Sequence, residues 1–289
     1  YCANVLRTKA DKHQGGRSPV QVGAELFGHA GLEADHEILH LALTSLEQAG
    51  AGELHLALGH IGIYRALIAE AGMNDEHERE LFAAIERKQY SALDALIDRV
   101  VGDKVVAGML KALPHLHGDD EILAQARTAF AGAPAAVASA LDQLTALSCA
   151  VRERHPQVTL YFDLAELRGY EYHTGMVFAA YVPGYGQALA KGGRYDDTGR
   201  AFGRARPATG FSMDLKQLAS LAVQAPACDG IWAPALNDSA LRECVDQLRA
   251  AGERVIEALP GQTTGADAHR CNRELVNGDG GWQVVTLDA

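Results

Sequence analysis

The feature that most constrains this fold is a block of helical sequence set inside a sheet. From residue 61 to about 156, apolar residues recur at helical spacing, broken by AGMND, VGDK, LPHLHGDD and AGAP. Gly, Pro, Asn and Asp in such clusters end helices and open turns. Strand patterns lie on both sides. ELHLALGH (53–60) alternates Leu54, Leu56 and Leu58 with polar or small residues, the period of a half-buried strand. VTLYFDLAEL (158–167) and TGMVFAAYV (174–182) are rich in β-branched and aromatic residues, and the two are expected to pair antiparallel. The sheet must then be built from segments far apart in the chain. That is an α+β arrangement with a helical insertion at about 61–156.

The flanking segments complete this outline. Residues 1–8 and 19–27 read as strands of a hairpin joined by TKADKHQGGRSP. Asp35 is placed to cap a helix whose apolar face carries Ile38, Leu39, Leu43 and Leu46. GYG, KGGRYDD and GRAFGRARPATG read as Gly- and Arg-rich loops, FSMDLKQLASLAV (211–223) as a helix, and residues 224–226 as a linker. Beyond them lie a strand (GIWAP), a helix (238–251), a strand (ERVIEAL), a short helix and a hairpin turning at NGDGG. The expected organisation is a core over 1–223 and a small α/β module over 224–289.

Bulk properties exclude several classes of function. With 48% hydrophobic and 22% charged residues, the 289-residue chain has the balance of a soluble globular protein. Its net charge of −11 gives no basic footprint for nucleic acid. No apolar run is long enough to span a bilayer. Cys2, Cys149, Cys228, Cys244 and Cys271 are scattered and odd in number, with no C-x-x-C pair. This argues against disulfides and structural zinc and fits a reducing cytoplasm. The chain opens at Tyr1, without a methionine, inside the strand-like YCANVLRT, so a further segment is expected upstream.

Three stretches carry the unusual chemistry. In GGRSPVQVGAE, strand alternation puts Gln21, Gly23 and Glu25 on one face. A glutamine and a glutamate about a glycine gap suit an ammonium or imidazole group; a solvated edge strand is the plainer reading. In RGYEYHTG, Arg168 offers a rigid fork for a carboxylate or phosphate, while Tyr172 and His173 line an aromatic slot. The plainer reading is a strand end with aromatics in the core. In KGGRYDDTGRAFGRARPATGF, Gly192 and Gly193 permit close approach of backbone to a ligand. Arg194, Arg200, Arg204 and Arg206 are candidate anion contacts there, as is Arg17 in the first stretch; a solvated loop is the alternative. One rival signal is His36-Glu37-Ile38-Leu39-His40, which fits H-E-x-x-H. No third ligand accompanies it, and no metal is expected. His115 and His117 read as solvated loop residues.

These stretches together resemble the class II aminoacyl-tRNA synthetase core in its histidyl branch. VLRTKADKHQGGRSPVQVGAE is similar to the second class-defining motif, and RGYEYHTGMVF and KGGRYDD to the two histidine-specific motifs. PATGFSMDLKQL is similar to the third class-defining motif. The motifs fall in the family's order over most of 1–223. The resemblance implies an antiparallel sheet with flanking helices. It also implies a histidine pocket at Gln21, Glu25, Arg168 and Tyr172, with His173 in place of a tyrosine. Arg7 stands at the second motif's arginine and is a further candidate anion contact.

The departures bear on activity. Two positions after Arg7 the family has an acidic residue that helps bind ATP, and this chain has Lys9. In the third motif a glycine and then a Glu-Arg pair are replaced by Asp214 and then Lys216-Gln217. Each lost charge-assisted bond to phosphate costs about 1.5–3 kcal/mol. A carboxylate facing that anion adds to the loss, so amino-acid activation should fall by orders of magnitude. From Gln224 to Ala289 there are five arginines, no lysine and ten Asp or Glu, too acidic for an anticodon-binding module. A kept amino-acid pocket without its ATP clamp resembles the synthetase paralogues that serve as regulatory subunits of ATP phosphoribosyltransferase. That resemblance implies a non-catalytic, cytoplasmic protein without a cofactor. Its partner would be a short-form catalytic subunit of that enzyme, with a homodimer within a hetero-oligomer. L-histidine would be the effector of this first step of histidine biosynthesis. The alternatives are a divergent or truncated histidyl-tRNA synthetase, a zinc hydrolase and a scaffold with an empty pocket.

Overall fold

The computed structural model describes residues 1–6, 8, 17–221, 230–262, 264–278 and 280–287. The expected linker at 224–226 lies outside them, as do Arg7, Lys9 and Cys228. The chain divides into two compact units, Tyr1–Ala222 and Val223–Ala289.

The first unit opens with β1 (Cys2–Asn4) and β2 (Val20–Phe27), paired antiparallel, followed by α1 (Leu32–Gln48) and β3 (His55–His60). Six helices come next: α2 (Ile61–Ala71), α3 (Asp75–Glu86), α4 (Tyr90–Val100), α5 (Lys104–Ala112), α6 (Glu121–Ala129) and α7 (Ala135–Arg154). A two-residue strand, β4 (His117–Gly118), precedes α6. The unit closes with β5 (Thr159–Asp163), β6 (Met176–Tyr181), β7 (Ala190–Arg194), β8 (Ala208–Asp214) and α8 (Leu215–Leu221). The eight strands run in the order β1-β2-β8-β7-β6-β3-β5-β4, antiparallel except for β3 beside β5. The architecture is α+β.

Local chemistry explains most of these elements. Leu56 and Leu58 alternate into the core on β3, and MVFAAY of β6 is nearly all buried, as a central strand must be. Helix α1 buries Ile38, Leu39, Ala42, Leu43 and Leu46 at helical spacing. Helix α2 starts where His60 Nδ1 accepts from the Gly62 amide and stops at Gly72, in the left-handed region at φ 61°.

Four expectations are corrected by tertiary pairing. Strands β5 and β6 are not partners: β3 lies between them, parallel to β5 and antiparallel to β6. A parallel neighbour needs a long crossover, and the helical insertion is that crossover. KGGR is strand β7 rather than loop, held between β6 and β8. FSMD extends β8, so the helix there begins at Leu215. Asp35 is not a cap, because α1 begins at Leu32 after Gly31 and the aspartate lies 1% exposed inside it.

The second unit has β9 (Gly230–Ala233), α9 (Ser239–Ala250), β10 (Arg254–Glu257), β11 (Cys271–Gly278) and β12 (Gly281–Thr286). Its sheet runs β10-β9-β11-β12, and its core is Ile231, Ala233, Leu241, Val245, Val255 and Leu275.

Candidate functional site

RGYEYHTG forms one wall of a cleft of about 290 Å³ over β3, β6, β7 and β8. Arg168, Tyr172 and His173 line it, together with Glu166, Lys191 and Ser212. The wall is a tight turn in which the amides of Tyr172 and His173 both donate to the Gly169 carbonyl. Gly169 sits at φ +72°, and a Cβ there would come within 2.5 Å of His173 Nδ1. Only glycine meets both conditions. The floor is narrow for a similar reason: a Cβ on Gly192 would lie 2.3 Å from the Gly210 carbonyl oxygen.

Arg168 is held by a neighbour that sequence reasoning missed. Its Nε donates to both carboxylate oxygens of Glu166, at 3.0 and 3.1 Å, and its Nη2 reaches Glu166 Oε2 at 2.5 Å and the Tyr181 hydroxyl at 2.8 Å. The Arg168 amide also donates to Glu166. These bonds to Glu166 raise the guanidinium further above its usual range. Nη1 makes no hydrogen bond to the described residues. The signal was two residues away in AELRG, but a lone glutamate carries no pattern.

His173 is buried, and burial lowers its pKa, so the ring is neutral. Its Nδ1 lies 3.2 Å from the Arg168 carbonyl and donates to it, which leaves Nε2 as an acceptor. The Tyr172 ring packs on it with centroids 4.2 Å apart, itself half exposed.

The two residues from β2 are separated. Gln21 lines a narrower cleft that shares Lys191 and Ser212 with the first. Glu25 lines neither; it accepts a hydrogen bond from the Tyr195 hydroxyl. Burial pushes the Glu25 carboxyl up, with Tyr195 opposing. The same carboxylate raises the Tyr172 phenol, after burial. Nothing in the KGGRYDD pattern points to this role of Tyr195.

The narrow cleft is lined by Gln21, Gln187, Lys191, Asp214 and Gln217. Gln217 Nε2 donates to Gln187 Oε1 at 3.3 Å, Asp214 Oδ1 accepts from the Lys216 amide at 3.0 Å, and Lys216 Nζ donates to the Ser18 carbonyl at 3.1 Å. Three carboxamides (Gln21, Gln187 and Gln217), the Asp214 carboxylate and the shared Lys191 ammonium therefore face this cleft.

The other candidates lie elsewhere. Arg194 is a structural ion rather than an anion contact. Its Nε meets both oxygens of Asp35 at 3.1 and 3.0 Å, and Nη1 meets Asp196 at 3.1 Å. The carbonyls of His29 and Gly31 take further bonds. Burial pushes the Asp35 carboxyl up and the guanidinium pulls it back. The pair is ionic because arginine keeps its proton. Arg17, Arg204 and Arg206 are exposed, and Arg200 pairs with Asp197 on the surface. His36 and His40 lie on α1, where His40 Nδ1 is 2.8 Å from His155 Nε2 and His155 Nδ1 is 2.8 Å from Glu47. Among the described residues no three His, Cys, Asp or Glu side chains form a metal-binding group.

The family model for histidyl-tRNA synthetase matches residues 1–218, and that for the ATP phosphoribosyltransferase subunit HisZ C-terminal domain matches residues 227–285. The ATP phosphoribosyltransferase regulatory subunit of Chromohalobacter salexigens is 66% identical over 287 residues, covering 99% of this chain and 73% of that protein. The chain belongs to the family of ATP phosphoribosyltransferase regulatory subunits. The regulatory subunit of Azotobacter vinelandii is 49% identical over 290 residues, with 99% and 73% covered. Among solved structures, an ATP phosphoribosyltransferase regulatory subunit/histidyl-tRNA synthetase from Bacillus halodurans superposes with a TM-score of 0.75 at 26% identity, covering 93% of this chain and 69% of that one. No helix among the described residues is long and apolar enough to cross a membrane.

Proposed function

We propose that this chain is a non-catalytic regulatory subunit that joins a short-form catalytic ATP phosphoribosyltransferase, activates it, and carries feedback by L-histidine through the cleft at RGYEYHTG. The observation that carries this reading is the contrast between the two adjoining clefts. The larger offers an arginine nitrogen for a carboxylate and a neutral imidazole and phenol for a ring. The smaller has Asp214 and Gln217 at the positions where the synthetase motif carries a glycine and an arginine, and shares Lys191 with the larger. Gln21 and Glu25 lie outside the lining of the larger cleft, so the ligand contacts of the proposal rest on Arg168, Tyr172 and His173. The protein would work as a homodimer within a cytoplasmic hetero-oligomer. Histidine regulates if it binds the active and inhibited assemblies with different affinity, typically by 1–3 kcal/mol.

The test is phosphoribosyl transfer by a short-form catalytic subunit, with and without the protein, across a histidine titration. Activation that histidine then suppresses is expected. No change in rate and no co-migration would overturn the proposal. Histidine-dependent ATP–pyrophosphate exchange by the protein alone would replace it with a synthetase.

A further inference from the structure

Arg65 lies on α2, outside the lining of the cleft, yet it holds the cleft's wall. Its Nη2 donates to the carbonyls of Tyr170 at 2.6 Å and His173 at 3.1 Å. Its guanidinium also sits 4.6 Å from the centroid of the Tyr170 ring. That ring packs edge-on against Tyr64 of α2, with centroids 5.1 Å apart at 89°, and against Phe82 of α3 at 5.5 Å. Tyr64 is fully buried and donates to the Glu78 carbonyl of α3 at 3.4 Å. The turn's own amides end on the carbonyls of Leu167 and Gly169, so they leave those of Tyr170 and His173 to the arginine. These two carbonyls bracket Tyr172, and the second belongs to the residue whose ring forms the slot.

We propose that Arg65 is the positioning residue of this cleft: by clasping the carbonyls of Tyr170 and His173 it sets Tyr172 and His173 in their ligand-facing arrangement and couples occupancy of the cleft to helices α2 and α3. The ligand part of this inference rests on the reading of the cleft as a histidine site. An arginine suits the task because the two N–H groups of Nη2 reach both carbonyls while the guanidinium face lies over an aromatic ring. A lysine ammonium is a point charge without that planar face. Coupling of this kind is reciprocal: a ligand that favours the clasped turn favours the α2–α3 arrangement that clasps it, and a partner that shifts those helices changes ligand affinity by the same factor.

The test uses the full-length protein with Arg65→Met and Arg65→Lys. Three quantities are measured: histidine affinity by calorimetry, amide exchange over residues 169–174, and thermal midpoint. Arg65→Met should weaken histidine about tenfold, the equivalent of ~1.4 kcal/mol, and speed exchange across the turn. Arg65→Lys should recover part of both. Affinity within about twofold of the parent would overturn the proposal, even if the midpoint falls, because a purely structural arginine would behave so. If the parent binds no histidine, the cleft reading fails by itself. Exchange then decides the clasp: unchanged protection of 169–174 in Arg65→Met would end it.

Discussion

Arg194 and Asp35 show how one side chain's environment sets its role. The two are 159 residues apart in the chain, and their side chains are only 7% and 2% exposed. Asp196 joins them and also accepts from the Thr174 hydroxyl and the Ala208 amide, so the cluster ties α1 to β7, β8 and the end of RGYEYHTG. Removing one partner leaves a buried charge uncompensated. Asp35→Asn should lower unfolding free energy by about 3–5 kcal/mol in guanidinium titrations. In the cleft, Arg168→Ala removes the fork and leaves Glu166 unpaired; histidine binding by calorimetry should weaken at least about tenfold, a loss of one charge-assisted bond. Two buried histidines give the fold a pH dependence. Burial lowers the pKa of His60 and of His173 from the usual 6.5, so the unfolded chain takes up protons first. The stability they contribute is present above pH 6.5 and is lost as pH falls through their folded values. Thermal midpoints should therefore drop on acidification from pH 7.5. The slope should be shallower in His173→Tyr, which titrates nowhere near this range; parallel curves would remove His173 from the effect.

Helices in the insertion are bounded by short polar signals that act locally. Asp103 Oδ1 accepts from the amides of Val105 at 2.7 Å and Val106 at 3.2 Å, and Asn74 Oδ1 accepts from His77 at 2.9 Å. Each satisfies amides that the helix itself cannot. Asp103→Ala should cost about 1 kcal/mol in equilibrium unfolding, whereas a substitution on the exposed face of α5 should cost little. Strand β7 behaves differently. AKGGR has no apolar alternation, and its glycines serve neighbours rather than propensity: a Cβ on Gly192 would strike the β8 backbone and the Phe178 ring, and one on Gly193 the Met176 carbonyl and His173. Thinness at this strand lets β6 and β8 flank it while the cleft stays open above.

The two compact units differ greatly in the core each can assemble. The first buries apolar residues from α1 to α8, while the core of the second, among the described residues, is the small cluster around Leu241 and Leu275. A unit of that size buries a smaller share of its surface and is correspondingly marginal. Both tryptophans of the chain, Trp232 and Trp282, belong to it, with Trp232 stacked on His269 at 4.9 Å and Trp282 Nε1 donating to Asp238. Tryptophan fluorescence therefore reports this unit, and far-UV circular dichroism reports chiefly the first. In guanidinium the fluorescence transition should come at lower denaturant than the dichroism transition. Coincident transitions would mean that the two units unfold as one.

Much of the architecture was legible in the order of residues. The helical block, the strands beside it, the small α/β module and the aromatic turn at Arg168 are all written in periodicity, in Gly, Pro and Asp punctuation, and in motifs kept in a known order. Such signals are local: propensity, capping and the burial period act over a few residues, so a short window contains them. Pairing and proximity are not local. β3 separates β5 from β6 because the crossover returns the chain to its far side. KGGR becomes a strand because two neighbours offer it hydrogen bonds, and Asp35 faces inward because an arginine near the other end of the core meets it there. Glu166 under Arg168, Tyr195 on Glu25 and Arg65 behind the turn belong to the same class. Each acts through a contact a few ångströms long between groups whose relation no window of sequence contains, and only the packed sheet and insertion bring them together.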